Sequence, residues 1–268
     1  MTSSNNDFDE TLNTIYNFIR DKVEKTGSDK VILGLSGGLD SATVLKLCID
    51  ALGNDKVICL IMPESVSPEQ DMEDARWLAS RWDVEYHDID IDNILNEFPA
   101  DPDNRMAFAN LKARIRMCLE YYFANVENGL VVGTSNKSEL LLGYTTKYGD
   151  SAADFLPVGD IYKSDLSKLA GVIDVPERFL NKVPRAGLWE GQTDEDELGY
   201  AYEEIDEILK GIEKGYTMER IDEINGVSEE DVQDIKAMVE KNAHKRKIPT
   251  VAKLRSATIG VDWREFSD

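Results

Sequence analysis

The sequence is short of features that mark several protein classes. Cysteine is down to three residues in 268, Cys48, Cys59 and Cys118. They are too few and too scattered for a disulfide framework or a zinc site, and each lies in an apolar run that reads as a buried thiol of a reducing compartment. No apolar run approaches the roughly 20 residues of a membrane span. Met1 to Glu10 is polar and acidic with no apolar h-region, so the expectation is a cytoplasmic protein with no membrane partner. Gly and Pro, at 18 and 8, are not enriched, and 42% hydrophobic residues are too many for a disordered chain. Positive charge is the largest shortage: 30 Lys and Arg stand against 52 Asp and Glu, a formal net charge of −22. Such a surface repels nucleic acid, whose binding rests on cations at phosphates, so no nucleic-acid partner is expected. The acids are spread along the chain rather than gathered in a tail. Either an ordinary acidic surface or adaptation to concentrated salt would produce them; the size of the imbalance favours salt, where screening suppresses self-repulsion.

The apolar pattern alternates between two periods. Phe8, Leu12, Ile15, Tyr16, Ile19 and Val23 recur at helical spacing. Lys30 to Leu35, Val57 to Met62, Val84 to Asp90 and Gly129 to Gly133 read as strands. Helices are expected between them, at Leu39 to Leu52, about 68–82 and Arg105 to Asn125. Strands alternating with helices at this spacing predict an α/β, doubly wound parallel sheet with helices on both faces. After Gly143 the pattern loosens: a loop to Pro157, a helix over Ile161 to Ala170, an irregular stretch from Asn181 to Thr193, and acidic helices over Thr193 to Lys210 and Glu229 to Lys241. No repeat or linker is visible, so residues 1–268 are expected to form one domain with a helical C-terminal extension at about 194–245.

Ser36-Gly37-Gly38-Leu39-Asp40-Ser41, between the first strand and its helix, carries the strongest chemical signal. Consecutive glycines let the backbone approach a ligand and turn its N–H groups inward. Two hydroxyls and the positive end of the helix dipole converge on the same spot. The arrangement suits phosphate, although it is not the Gly-x-x-x-x-Gly-Lys-[Ser/Thr] loop. Asp40 would repel phosphate unless a magnesium ion stood between them. The plainer reading is a Gly-Gly turn capped by serine, with Asp40 complementing the dipole.

The hexapeptide resembles the pyrophosphatase loop of the N-type ATP pyrophosphatases, which cleave ATP between the α- and β-phosphates to adenylate a substrate. Three further segments narrow the resemblance. These are Asn110-Leu-Lys-Ala-Arg114-Ile-Arg116, Gly133-Thr134-Ser-Asn-Lys-Ser-Glu139, and Thr145-Thr-Lys147-Tyr-Gly-Asp150 leading to Asp154 and Pro157. With Lys163, Gln192-Thr-Asp-Glu195 and His244-Lys245, they make the chain similar to the ammonia-dependent NAD synthetases from about Leu33 to Lys245.

That resemblance implies a Rossmann-like, adenine nucleotide alpha hydrolase-like fold with its pyrophosphatase core at about 30–180. It implies that ATP is held by Gly34, Leu35, Ser36, Gly37, Gly38, Leu39, Asp40, Ser41, Thr134 and Lys163, with Asp40 and Lys163 catalytic. Asp40 and Glu139 would be magnesium ligands, and Asn110, Arg114, Lys147, Asp154, His244 and Lys245 would hold deamido-NAD at a homodimer interface. ATP, ammonia and deamido-NAD would be the substrates. An amidotransferase domain for glutamine has no room beside this pattern. A tRNA-thiolating relative is the alternative, but it would need reactive, often paired cysteines and a basic surface. Arg185 departs from the family, whose Ser or Thr there contacts ATP. The guanidinium either reaches the triphosphate or points to solvent. Arg116 and His87 read as structural, and no residue stands out as the base that deprotonates ammonium.

Overall fold

The computed structural model describes residues 5–259 apart from 186, 188, 190 and 192. Helix α1 (Asn5–Thr26) buries the stripe Leu12, Ile15, Ile19 and Val23. Strand β1 (Lys30–Gly34) follows, then α2 (Leu39–Leu52), which ends at Gly53, a residue with φ of 95° whose N–H donates to Ile49 O at 2.8 Å. Every residue of β2 (Val57–Ile61) is buried, as a parallel strand covered on both faces requires. Next come α3 (Glu69–Arg81), β3 (Glu85–Asp88), the short α4 (Asp92–Asn96), α5 (Arg105–Val126) and β4 (Gly129–Val131).

The four strands are parallel in the order β3-β2-β1-β4, with Ile32 opposite Ile58 on one side and Val131 on the other. The chain steps outward from β1 to β3, then returns across the sheet to place β4 on the far side of β1. That reversal opens a crevice at the carboxyl ends of β1 and β4, the place where open α/β sheets bind ligands. β3 is the edge strand, and its exposed Glu85 and Asp88 discourage pairing with another chain.

Side chains alternate across the sheet. Val31, Leu33, Val57, Cys59 and Ile61 pack with α1, α2 and α7 (Lys163–Val172) on one face. Ile32, Ile58 and Leu60 pack with Leu95 of α4 and Ile115 of α5 on the other. Each fully buried Leu or Ile stabilises the fold by about 1.5–3 kcal/mol relative to leaving it exposed, so the sheet is a rigid platform for the loops above it.

Beyond β4 the described elements are helical: α6 (Lys137–Leu142), α7, α8 (Glu177–Leu180), α9 (Asp194–Leu198), α10 (Tyr202–Glu213), α11 (Met218–Asn225) and α12 (Glu229–Lys241), with a 3-10 turn at Ala243–Lys245. A separate apolar cluster of Tyr202, Ile205, Ile208, Leu209, Val232 and Ile235 fastens this extension to Leu142 and Tyr162. The single acidic helix expected over Thr193 to Lys210 is two helices, because Gly199 adopts the left-handed conformation at φ 81° and ends the first. Cys48 and Cys59 are buried as expected, and burial pushes the Cys48 thiol up to about 12. Cys118 is exposed, against the expectation, because it falls on the outer stripe of α5 with Arg114 and Tyr122, four residues to either side. No helix among the described residues is long and apolar enough to cross a membrane.

Candidate active site

The loop after β1 forms the floor of a cavity of about 750 Å³ at the β1/β4 crevice. Its shape depends on Gly37, which has φ of 78° and lies so close to α3 that an added Cβ would stand 2.0 Å from Asp71 O. Only glycine fits both demands. Ser36 Oγ and Ser41 Oγ lie 3.1 Å apart, and Ser36 Oγ accepts from Gly38 N at 3.3 Å. Gly38 is the N-cap of α2 and supplies no side chain to its first N–H groups. An uncapped helix start beside two hydroxyls is a ready anion site.

Asp40, in the first turn of α2, accepts from Lys163 Nζ through Oδ2 at 2.5 Å, while its Oδ1 is buried with no hydrogen-bond partner among the described residues. Glu139 Oε1 stands 3.7 Å from the same ammonium. Glu139 is placed by local chemistry: Asn136 Oδ1 accepts from Glu139 N at 3.0 Å and Glu139 Oε2 accepts from Asn136 N at 3.3 Å, a capping box at the start of α6. Burial first, then the Asp40 charge, push the Glu139 carboxyl well above the usual carboxylate range, against the pull of Lys163. Burial acts to lower the Lys163 ammonium, but Asp40 and then Glu139 outweigh it and hold it above its ordinary value. The site therefore gathers two acids around one buried cation and leaves an acceptor oxygen unused.

A carboxylate of the C-terminal extension locks this arrangement. Asp206 of α10 is fully buried. It accepts from Ser138 Oγ, next to Glu139, and from Ser164 N at 2.8 Å, next to Lys163. Ser138 Oγ in turn accepts from Lys163 N at 3.0 Å. One side chain thus ties the starts of α6 and α7 together.

On the other side of the loop a second cluster joins α3 to the segment after α8. Lys182 Nζ donates to Gly37 O at 2.7 Å and to Asp71 Oδ1 at 2.9 Å, and pairs with Asp74 Oδ2 at 2.5 Å. Arg185 grips Asp71 with two donors, Nε to Oδ2 at 3.1 Å and Nη2 to Oδ1 at 2.9 Å.

Most of the residues expected from sequence converge. Gly34, Leu35, Ser36, Gly38, Leu39, Asp40 and Ser41 line the cavity with Thr134, Glu139, Lys163, Arg185, Asn110 and Lys245. Gly37 contributes its carbonyl to Lys182 instead of a cavity wall. Arg185 takes neither of the two courses foreseen: it lines the cavity but is held by Asp71. Four residues lie outside the cavity lining. Arg114 donates to Lys147 O at 3.3 and 3.2 Å, Asp154 Oδ2 accepts from Val131 N at 2.7 Å, and His244 is exposed. Lys245 braces the chain after α6 by donating to Gly143 O at 2.6 Å and Thr145 O at 2.8 Å. Arg116, read from sequence as structural, also lines the cavity; it donates to Met62 O at 3.1 Å and, with Lys112, pairs with the buried Glu64. Gln192 lies outside the described residues.

Sequence reasoning missed Asp206, Lys182, Asp71 and Glu120. A signal existed for two of them. Asp206 is an acid on the face with Tyr202, Ile205 and Leu209, and Glu120 extends the cavity-facing stripe Met106, Asn110, Ala113, Met117 at three- and four-residue steps. Asp71 and Lys182 meet only through the fold.

The family model of NAD synthase matches residues 11–249. The chain is 51% identical over 251 residues to the NH(3)-dependent NAD(+) synthetase of Archaeoglobus fulgidus, a match covering 92% of this chain and 98% of that one. Among solved structures it resembles an NMN synthetase from Francisella tularensis, with a TM-score of 0.82 and 34% identity, and an NH3-dependent NAD synthetase from Campylobacter jejuni, with 0.77 and 35%. Each of these structures covers 92% of this chain and is itself covered over 99% of its length.

Proposed function

The chain belongs to the NAD synthase family, and from that premise we propose that it is an ammonia-dependent ligase that amidates deamido-NAD at the expense of ATP, releasing AMP and pyrophosphate. One observation carries the reading: the uncapped start of α2 and the unused oxygen of Asp40 face one cavity at the β1/β4 crevice, beside the cation Lys163. A phosphate chain and its counter-ion supply what both lack.

Asp40 and Glu139 offer hard oxygen donors, one of them a buried orphan, and so fit a magnesium ion. These two residues would hold it, and the ion would supply positive charge to the phosphates. The loop at residues 34–41 would cradle the triphosphate with backbone N–H groups, and Thr134 would add a hydroxyl. Lys163 would hold its ammonium against the phosphates as the nicotinate carboxylate attacks the α-phosphorus and pyrophosphate leaves. Ammonia then displaces AMP from the acyl-adenylate. The chain's work is positioning and charge, which suits a site built from rigid strand and helix ends.

Asn110 and Lys245 would meet deamido-NAD inside the cavity. Arg114, Lys147, Asp154 and His244 lie outside the cavity of one chain, which fits a substrate whose far half rests between two copies. Tyr122 and Val126, exposed on the helix that carries Asn110 and Arg114, are apolar surface that a second copy would cover. The protein would then have twice the 30.1 kDa mass of one chain in solution, as a single cytoplasmic domain per subunit. The −22 charge supports a protein built for concentrated salt. Its melting temperature should rise between dilute and molar salt, and a flat or falling curve would remove that part of the reading.

Products test the function. Incubation with ATP, magnesium, ammonium and deamido-NAD should give NAD, AMP and pyrophosphate in equal amounts, with no turnover when glutamine replaces ammonium. Release of ADP and phosphate, or a preference for the mononucleotide analogue of deamido-NAD, would refute it.

A further inference from the structure

The acids of the cavity are nearly all engaged. Asp40 and Glu139 face Lys163, Asp71 holds Lys182 and Arg185, and Asp150 Oδ1 accepts from Thr146 N at 2.8 Å. Glu120 is different. It sits on α5 at the inner end of the cavity-facing stripe, half-buried, and among the described residues no hydrogen bond or ion pair engages its carboxylate. That carboxylate fills the space where Gly34 has no side chain, since a Cβ there would meet Glu120 Oε1 at 2.3 Å. It therefore stands at the root of the phosphate-binding loop, in the same cavity as Asn110 and the proposed adenylation centre.

An unanswered carboxylate at that point invites a small cation, and the proposed reaction consumes one: ammonium, which must lose a proton before it can act as a nucleophile. We propose that Glu120 is the ammonium subsite and the base of the amidation step, an inference that rests on the function proposed above. Ammonium gives one proton to a Glu120 oxygen. The freed lone pair forms the C–N bond at the carbonyl of the acyl-adenylate. The bond from that carbon to the AMP oxygen breaks, with its electron pair going to the leaving phosphate. The second N–H proton passes to that phosphate, and Glu120 returns its own to water. Withdrawal from water, reinforced by the Asp150 charge and opposed by Arg116, pushes the Glu120 carboxyl up to about 8 while no cation stands beside it; an ammonium ion at the subsite favours the ionised form and brings the group back toward the neutral range in which a base works.

Three assays on Glu120→Gln and Glu120→Asp separate this role from others. Pyrophosphate exchange into ATP with deamido-NAD reports adenylation without ammonium. Amidation with ammonium reports the whole reaction. Hydroxamate formation from hydroxylamine, largely free base at neutral pH, reports attack on the adenylate with no need for a base. Glu120→Gln should keep exchange and hydroxamate formation within about twofold while kcat/KM for ammonium falls about a hundredfold. Glu120→Asp, which keeps the carboxylate, should fall between the variant and the wild type. Equal losses with ammonium and hydroxylamine would make Glu120 a packing residue, and a raised KM for ATP with lowered exchange would make it an ATP contact; either overturns the proposal. A wild type that shows no exchange would overturn the proposed function itself, and the ammonium subsite with it.

Discussion

The two charged clusters flanking the loop at residues 36–41 are made of the same parts and left in different states. Around Asp71 the accounts close: both oxygens are taken by Arg185, Oδ1 also receives Lys182, and the same lysine reaches Asp74 and Gly37 O. Around Lys163 they do not. Among the described residues Asp40 Oδ1 is buried without a partner, and a second acid, Glu139, is pressed toward the same ammonium. A buried acceptor with no donor costs about 1–3 kcal/mol, so a fold keeps one only where something else completes it. The closed cluster holds α3, the loop and the segment after α8 in register, and the open one is where chemistry belongs.

Substitutions should separate the two clusters by what each one damages. The largest effect belongs to the open one. Asp40→Asn should lower kcat about a thousandfold or more, roughly 4 kcal/mol of transition-state stabilisation, with little change in melting temperature. Near-normal turnover would place Asp40 among the structural residues. An intermediate effect is expected at Asp206, which touches no substrate but fixes Ser138 and the start of α7. Asp206→Asn should cost about 10–100-fold in kcat, as loss of a supporting shell does, with the KM for deamido-NAD held. A fall in stability with kcat preserved would show that the extension is only packed against the site.

The smallest effect is expected at the closed cluster. Arg185 lines the cavity while gripping Asp71, so it can reach a triphosphate only by sharing or leaving that carboxylate. Arg185→Ser should raise the KM for ATP about tenfold, the value of one shielded guanidinium–phosphate bond, and leave that for deamido-NAD alone. An unchanged KM would assign Arg185 wholly to the Asp71 cluster.

The same contrast explains what the sequence made legible. The parallel sheet was visible because β1 and β2 are short apolar runs broken by Ser-Gly-Gly and Pro, and α1 and α5 keep their periods for 22 residues each. The loop, Glu139 and Lys163 were found because their spacing from strand ends is local and matches a known pattern. Asp71 and Lys182 are 111 residues apart and Asp206 is 68 from Ser138; no local spacing encodes such meetings, which come from the return of the chain across the sheet. Gly199 was missed as a break because acidic residues on both sides favour continued helix, and the left-handed turn won.

A metal titration tests the difference between the clusters most directly. Manganese, standing in for magnesium, can be followed by electron paramagnetic resonance in the presence of an ATP analogue that resists cleavage between the α- and β-phosphates. The wild type should bind manganese in the ternary complex, Asp40→Asn should weaken it about a hundredfold, and Asp71→Asn should leave it unchanged once corrected for the folded fraction. Equal binding by the wild type and Asp40→Asn would contradict the account.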